Sequence, residues 1–313
     1  MKKYSVIFMG TPDFSVPVLN MLYEENYEIK LVVTQPDKPK GRGKHMAFPP
    51  VKEQALKYGL EVYQPVSAKD GQLFDVISKI SPDFIITVAY GKILPKDVLD
   101  VPKMGSINVH ASLLPKYRGP APIQYSIING EDKTGITTMY MDEGMDTGDI
   151  LIRAGLEITN DMTGGQLHDQ LMDLGAVTLK ETLERLIRGD LKRTPQDGSI
   201  STYAPMLDKK TGYIDFSKTA REVYNLVRAM NPWPGAYSIY QGETVKIWET
   251  VVLEEALPDM IPGRIYEVTD ELIKVACKDH GVGILTLQFP YSKRMDSKDY
   301  LLGHKIEKGI ILG

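Results

Sequence analysis

The sequence predicts an α/β protein: a doubly wound, mostly parallel Rossmann-like sheet domain followed by a smaller domain of short strands with barrel-like spacing. Three observations predict it. Continuous apolar strands alternate with helix-like segments through the first half, the signature of a parallel sheet covered on both faces. One long amphipathic helix then closes that pattern near residue 190. Beyond a Pro-, Gly- and Ser-rich stretch, short alternating strands recur between turn residues, as in a small barrel.

The elements follow in order. "YSVIFMG" reads as a buried strand ending at Gly10, and "PVLNMLYE" as a helix with Val18, Met21 and Leu22 on one face. "IKLVVTQ" is a strand, "PVKEQALKYG" a helix stopped by Gly59, and "EVYQ" a short strand. "FDVISKI" is helical, while "DFIITVAYG", "GSINVH" and "TGITTMYM" are strands. In "MTGGQLHDQLMDLGAVTLKETLERLIRGD" the pair Thr163 and Gln166 forms a capping box, and Leu167, Leu171, Leu174, Leu183 and Leu186 keep helical spacing up to a stop at Gly189. His168 reads as a surface or interhelix residue. The expected domains are 1–190 and 209–313, with a linker over 191–208. In the second domain Thr219 and Glu222 cap an amphipathic helix that turns Val223, Leu226, Val227 and Met230 inward. "NPWPGA" breaks it; Trp233 there could stack on a base, but a turn anchored in the core is the preferred reading. "TVKIWE", "GRIYEVT", "LIKVAC" and "GILTLQF" are the later strands. No internal repeat is apparent.

Composition narrows the function. Of 313 residues, 42% are apolar and 25% charged, as in globular proteins, and runs such as "FIITVAY" are too short to span a bilayer. "MKKYSVIFMG" has too short an apolar part for a signal peptide, so no membrane association is expected and the location is expected to be cytoplasmic. Cys277 is the only cysteine, which rules out an intrachain disulfide and reads as a buried, inert strand residue. No cysteine–histidine cluster has zinc spacing, so no metal is expected. A net charge of −4 means that any nucleic-acid binding depends on local patches.

The chemistry concentrates in "INVHASLLPKYRGPAP". Asn108 and His110 are two apart at a strand end, so both side chains leave the same face where open α/β sheets gather their reacting groups. The proline-rich run after them lets irregular backbone line a crevice. Downstream, "DEGMDTGDIL" carries Asp142, Asp146 and Asp149 between glycines, and each qualifies by chemistry alone as a third partner. Its spacing is not that of a calcium loop. An amide, an imidazole and a carboxylate meeting in one place could hold a developing oxyanion, the carboxylate orienting the ring. No serine or cysteine stands out as a nucleophile, so the attacking group would belong to a substrate. The competing reading is a polar strand end satisfied internally.

The run "INVHASLLPKYRGPAPIQYSIINGEDKTGITTMYMDEGMDTGDIL" resembles the folate-dependent formyltransferase family, which carries an Asn-x-His-x-Ser-Leu-Leu-Pro motif and a later Asp-x-Gly-x-Asp-x-Gly loop. The resemblance implies Asn108, His110 and Asp146 as the catalytic set. It implies a folate site formed by Ser112, Leu113, Leu114 and Pro115 together with Val88, Ala89, Tyr90 and Gly91. "IFMGTPDFSVPVL", "TQPDKPKGRGKHMAFPPVK", "NPWPGA" and the C-terminal third are similar to those members that act on initiator tRNA. Members acting on glycinamide ribonucleotide match only through roughly the first 190–200 residues, a single domain's length.

The implied reaction is formyl transfer from 10-formyltetrahydrofolate to the free α-amine of methionine esterified to initiator tRNA, for translation initiation, with no metal and no obligate protein partner. The basic loop holding Lys38, Lys40, Arg42 and Lys44 resembles the segment that enters the acceptor stem. The resemblance also implies an OB-like five-stranded C-terminal barrel for tRNA. From Met206 onward 14 Lys plus Arg face 15 Asp plus Glu, so positive patches would have to serve, with Lys209, Lys210 and Arg228 as candidates. Two alternatives remain: a sugar-amine formyltransferase, which gives the basic loop no purpose, and a non-enzymatic nucleotide- or RNA-binding module. The turn "MGTPDFS" lacks a Gly-x-Gly-x-x-Gly fingerprint, which argues against a dinucleotide site.

Overall fold

The computed structural model describes residues 3–40, 45–257 and 260–313, and for Lys40 and His45 only the backbone. The chain forms two compact units. The first takes in Met1–Pro122, Lys133–Glu157 and His168–Ala204, the second Ile123–Asp132, Ile158–Leu167 and Pro205–Gly313.

In chain order the elements up to residue 188 are β1 (Ser5–Gly10), α1 (Val16–Glu24), β2 (Glu28–Val33), β3 (Lys38–Lys40), β4 (His45–Ala47), α2 (Pro50–Lys57), β5 (Val62–Tyr63), α3 (Gln72–Ile80), β6 (Phe84–Val88), α4 (Lys96–Leu99), β7 (Ser106–His110), α5 (Pro122–Ile128), β8 (Lys133–Tyr140), β9 (Ile150–Glu157) and α6 (Gly164–Arg188). Seven strands form one sheet in the order β5-β2-β1-β6-β7-β8-β9, while β3 and β4 pair as a separate hairpin. The first five run parallel. β8 and β9 are antiparallel to their neighbours. The nine residues between β8 and β9 cannot house a crossover helix, so the chain must return antiparallel.

Register fixes which side chains share a face. Ile7 and Met9 of β1, Leu31 and Val33 of β2 and Ile85 of β6 cluster with Leu73 and Ile77 of α3 and Val98 of α4. Met9 is level with Thr87, and Thr87 with Asn108, so Asn108 lies on this face, past the end of the packed core. On the other face Gly175 of α6 lies close to Val109 and Ile136, and the Thr138 and Thr182 hydroxyls meet at 2.7 Å. Connections reverse between β1 and β6, the position at whose carboxyl ends open α/β sheets gather their reacting groups.

The stretch read as a linker does not hang free over its first part. Thr194 exchanges backbone hydrogen bonds with Ile150 at 2.8 Å in both directions, and Ala204 N–H donates to Arg118 O at 2.7 Å. Residues 191–204 belong to the first unit; their turn-rich composition reports lack of periodicity, not lack of attachment.

The second unit adds α7 (Ala220–Ala229), β10 (Ala236–Tyr240), β11 (Glu243–Ala256), β12 (Ile265–Val268), β13 (Ile273–Ala276), β14 (His280–Gln288), β15 (Met295–Asp296) and α8 (Ser297–Gly303). Its strands run β10-β11-β14-β13-β12, with β15 on β14, and all pairs are antiparallel. The two edges are joined by the chain end. Ile265 N–H donates to Ile310 O and Leu312 N–H to Gly263 O, both at 2.8 Å, and Gly313 N–H donates to Ile239 O at 3.1 Å. This closes a barrel whose interior is lined by residues such as Val245, Ile247, Ile265, Ile284 and Leu287.

The two capping boxes form as expected, Thr163 with Gln166 and Thr219 with Glu222. Cys277 is fully buried. Trp233 departs from the core-anchored expectation, because its ring is 62% exposed.

Candidate active site

The site grows from the end of β7. Asn108 is half-buried and His110 buried, because strand alternation aims both off one face while their neighbours Ile107 and Val109 fill the interior. Past the strand the loop 111–121 is held by the adjacent strand. Leu114 N–H donates to the Thr137 hydroxyl at 3.1 Å, and that hydroxyl donates to Ser112 O at 2.6 Å.

Of the three aspartates downstream, one reaches Asn108 and His110. Asp142 closes a local turn by accepting from Gly144 N–H at 3.0 Å and the Thr147 hydroxyl at 2.6 Å. Asp149 faces Arg193 at 3.4 Å. Asp146 adopts the left-handed region at φ 55, where Asp is tolerated better than most residues, and its carboxylate faces Asn108 and His110 instead. Gly148 lets the turn close, since a Cβ there would overlap the Tyr140 carbonyl oxygen.

The three expected residues meet. Asn108 Nδ2 donates to Asp146 Oδ1 at 3.4 Å, and His110 Nδ1 stands 3.6 Å from Asp146 Oδ2. The side chains of His110 and Asp146 are 7% and 14% exposed, which keeps the carboxylate in a poorly hydrated place. His110 Nε2 lies 2.9 Å from Tyr117 O. A carbonyl only accepts, so Nε2 carries the hydrogen. Nδ1 is then the nitrogen that faces the carboxylate. The ring donates toward the crevice only when Nδ1 is protonated as well, and in the neutral tautomer it accepts there.

Two backbone groups that spacing did not reveal complete the arrangement: Tyr117 O on the ring, and Gly119 N–H, which donates to Asp146 Oδ2 at 2.8 Å. Gln196 and Arg118 were missed as well; they are bonded to each other beside this cluster. Main-chain partners leave no sequence signal, and Gln196 lies in a segment whose composition reads as loop.

The expected folate residues divide by exposure. Val88, Tyr90, Ser112, Leu114 and Pro115 are buried, while Ala89 and Gly91 are exposed and Leu113 half-buried. Ser112 Oγ is spent on Lys116 O at 2.7 Å. Ala89 and Gly91 both have positive φ, 44 and 76, and the turn between them is laced down. Ser15 Oγ donates to Val88 O at 2.7 Å, and Thr11 Oγ1 and Gln35 Nε2 donate to Tyr90 O at 3.1 and 2.9 Å. Thr87 Oγ1, level with Asn108 one strand over, is buried and has no hydrogen-bond partner among the described residues.

The expected tRNA residues also divide. Lys38, Lys209 and Lys210 are exposed. Arg42 and Lys44 lie outside the described residues, and of Lys40 the side chain does. Arg228 corrects the expectation: it is 8% exposed, and its guanidinium donates to Asn225 Oδ1, Thr159 O and Met162 O, each at 3.0 Å. Counting charges on a helix cannot foresee carbonyls that arrive from residues 159 and 162.

Comparison with known proteins bears on this geometry. Residues 2–183 match the formyl transferase family, and residues 206–305 match the formyl transferase C-terminal domain. The chain is similar to the methionyl-tRNA formyltransferase of Acetivibrio thermocellus, 53% identical over 308 residues that cover 98% of this chain and 99% of that one. It is 51% identical to the methionyl-tRNA formyltransferase of Clostridioides difficile, with the same coverage. Among solved structures the fold resembles WlaRD, a sugar 3N-formyltransferase crystallised with dTDP and 5-N-formyl-THF, at a TM-score of 0.67 and 18% identity, covering 94% of this chain and 100% of that one. It also resembles HypX from Aquifex aeolicus in complex with tetrahydrofolic acid, at a TM-score of 0.64 and 19% identity, covering 96% of this chain and 47% of that one.

Proposed function

The chain belongs to the formyl transferase family, and we propose that it transfers a formyl group from 10-formyltetrahydrofolate to the free α-amine of methionyl-initiator tRNA. The observation that carries the reading is the convergence of Asn108, His110 and Asp146 past the end of β7, in a chain 53% and 51% identical over nearly its full length to two methionyl-tRNA formyltransferases.

10-Formyltetrahydrofolate supplies the one-carbon unit. Ala89, Gly91 and Leu113 are the accessible parts of the expected folate site, and the unpartnered Thr87 hydroxyl beside Asn108 offers a hydrogen bond that a polar ligand would satisfy. Asn108 holds the formyl oxygen as charge develops on it; one such donor is worth about 10²–10³ in rate. His110 is fixed by Tyr117 O, so Nδ1 takes the proton that the attacking amine gives up, next to the Asp146 carboxylate. Asp146, tied by Gly119 N–H, balances the charged ring and keeps that proton in the crevice for return to the leaving nitrogen.

For tRNA, the basic sequence Lys38, Lys40, Arg42 and Lys44, whose first two residues lie on β3, would serve the acceptor stem. Lys209 and Lys210 add a second exposed patch. Binding through these groups neutralises phosphates and weakens with salt. Arg228, being buried, is left out.

The test is to supply purified protein and 10-formyltetrahydrofolate with either methionyl-initiator tRNA or an amino sugar nucleotide. Formylation of the tRNA alone supports the reading. Formylation of the sugar, or of neither, rejects it.

A further inference from the structure

We propose that Gln196 is a positioning residue for the reaction: its side-chain amide clamps the turn that carries Asp146 to the loop that carries the partners of His110 and Asp146. The inference rests on the catalytic reading of the trio given above.

Gln196 Nε2 donates to two backbone carbonyls, Asp146 O and Gly148 O, each at 2.8 Å. Its Oε1 accepts from Arg118 Nε at 3.1 Å and Nη2 at 2.8 Å. Both N–H groups and the carbonyl of the amide are therefore engaged. A carboxylate has no donors and an ammonium no acceptor, so among side chains long enough to span this gap only an amide serves both sides.

What it grips gives the clamp its purpose. One carbonyl belongs to Asp146 itself, which sits at φ 55, a conformation that persists when its surroundings over-determine it. On the other side, Arg118 lies between Tyr117, whose carbonyl holds the His110 ring, and Gly119, whose amide holds the Asp146 carboxylate. The segment that bears Gln196 is fastened on both flanks. Thr194 pairs with Ile150, and the Thr202 hydroxyl accepts from Tyr117 N–H at 2.8 Å. Gln196 thus ties two loops, far apart in sequence, whose relative position sets the spacing of imidazole and carboxylate. It touches no reacting atom.

Gln196→Glu tests the clamp. It keeps the length and the acceptor for Arg118, but it turns two donors into acceptors facing carbonyl oxygens. With 10-formyltetrahydrofolate and methionyl-tRNA both saturating, kcat should fall about 10–100-fold, the order expected for a catalytic group displaced by about an ångström. KM for methionyl-tRNA should hold. A purely structural role predicts the same loss in any background, so the deciding readout is a double-mutant cycle. On an Asp146→Asn background Gln196→Glu should cost less than about twofold, since residues acting as one unit are not additive. An unchanged kcat in Gln196→Glu, or an equal loss in both backgrounds, overturns the proposal. If Asp146→Asn itself turns over normally, the trio reading fails and the clamp with it. Should Gln196→Glu not fold by circular dichroism, Gln196→Met, uncharged and of similar length, takes its place with the same expectations.

Discussion

Gly119 N–H and the Asp146 carboxylate meet at 2.8 Å across 27 residues of chain, so a main-chain group of one loop sets the side chain of another. The contact needs glycine. Gly119 has φ 107, and a Cβ would lie 2.6 Å from the Tyr203 ring and 2.7 Å from Ala204 O. Gly119→Ala must shift the amide that holds Asp146. We expect turnover to fall by at least about tenfold and stability by roughly 1–3 kcal/mol, the cost of a strained backbone position. Steady-state kinetics and thermal unfolding check this together; wild-type kinetics would show that the amide is not what places the carboxylate.

Arg228 is predicted to matter for stability and not for tRNA. Arg228→Met strands the carbonyls of Thr159 and Met162 and should cost about 1–3 kcal/mol. The salt dependence of tRNA binding should stay as in the wild type, whereas Lys209→Ala should flatten that slope by about one. Filter binding across a salt series, beside urea unfolding, separates the two. An Arg228→Met protein of normal stability with a flattened slope would return Arg228 to the tRNA surface.

Burial pushes the Cys277 thiol up to about 12. The folded protein therefore holds the proton at pH values where an unfolded thiol, ionising near 8.5, has lost it. In that window the native state binds more protons than the unfolded state, so the contribution is fully present below about pH 8.5 and is lost as pH rises toward 12. Burial pushes the Tyr27 and Tyr90 hydroxyls up to about 12 as well, in the same sense. The urea midpoint should decline from pH 9 to pH 11. At pH 8 a disulfide reagent such as DTNB should leave the native thiol untouched and titrate one equivalent after denaturation; fast native labelling would contradict the burial.

How much of this was legible in the sequence follows from what each signal measures. Apolar runs gave β1, β2, β6 and β7, and the caps Thr163 and Thr219 fixed two helix starts, because both signals are local. β8 reads from the sequence only as a strand, because an apolar run does not record its direction, and its antiparallel partner β9 is not among the elements the sequence reveals. Asn108 and His110 could be paired by alternation alone. Residue chemistry alone does not tell Asp146 from Asp142 and Asp149, which only the family resemblance separates; in the structure the other two are taken up by Gly144, Thr147 and Arg193. Arg228 and Trp233 depart from their expected places and Gln196 escapes notice for one shared reason: each is defined by distant backbone or by exposure, and neither leaves a period in the sequence.

The most direct measurement is single-turnover formyl transfer from 10-formyltetrahydrofolate to methionyl-initiator tRNA by Asn108→Ala beside the unaltered protein. The account predicts a rate lower by about 10²–10³ with an unchanged unfolding midpoint, because the substitution removes a donor to the developing charge and leaves β7 and its core neighbours in place. A folded Asn108→Ala protein that transfers the formyl group at the wild-type rate would contradict it.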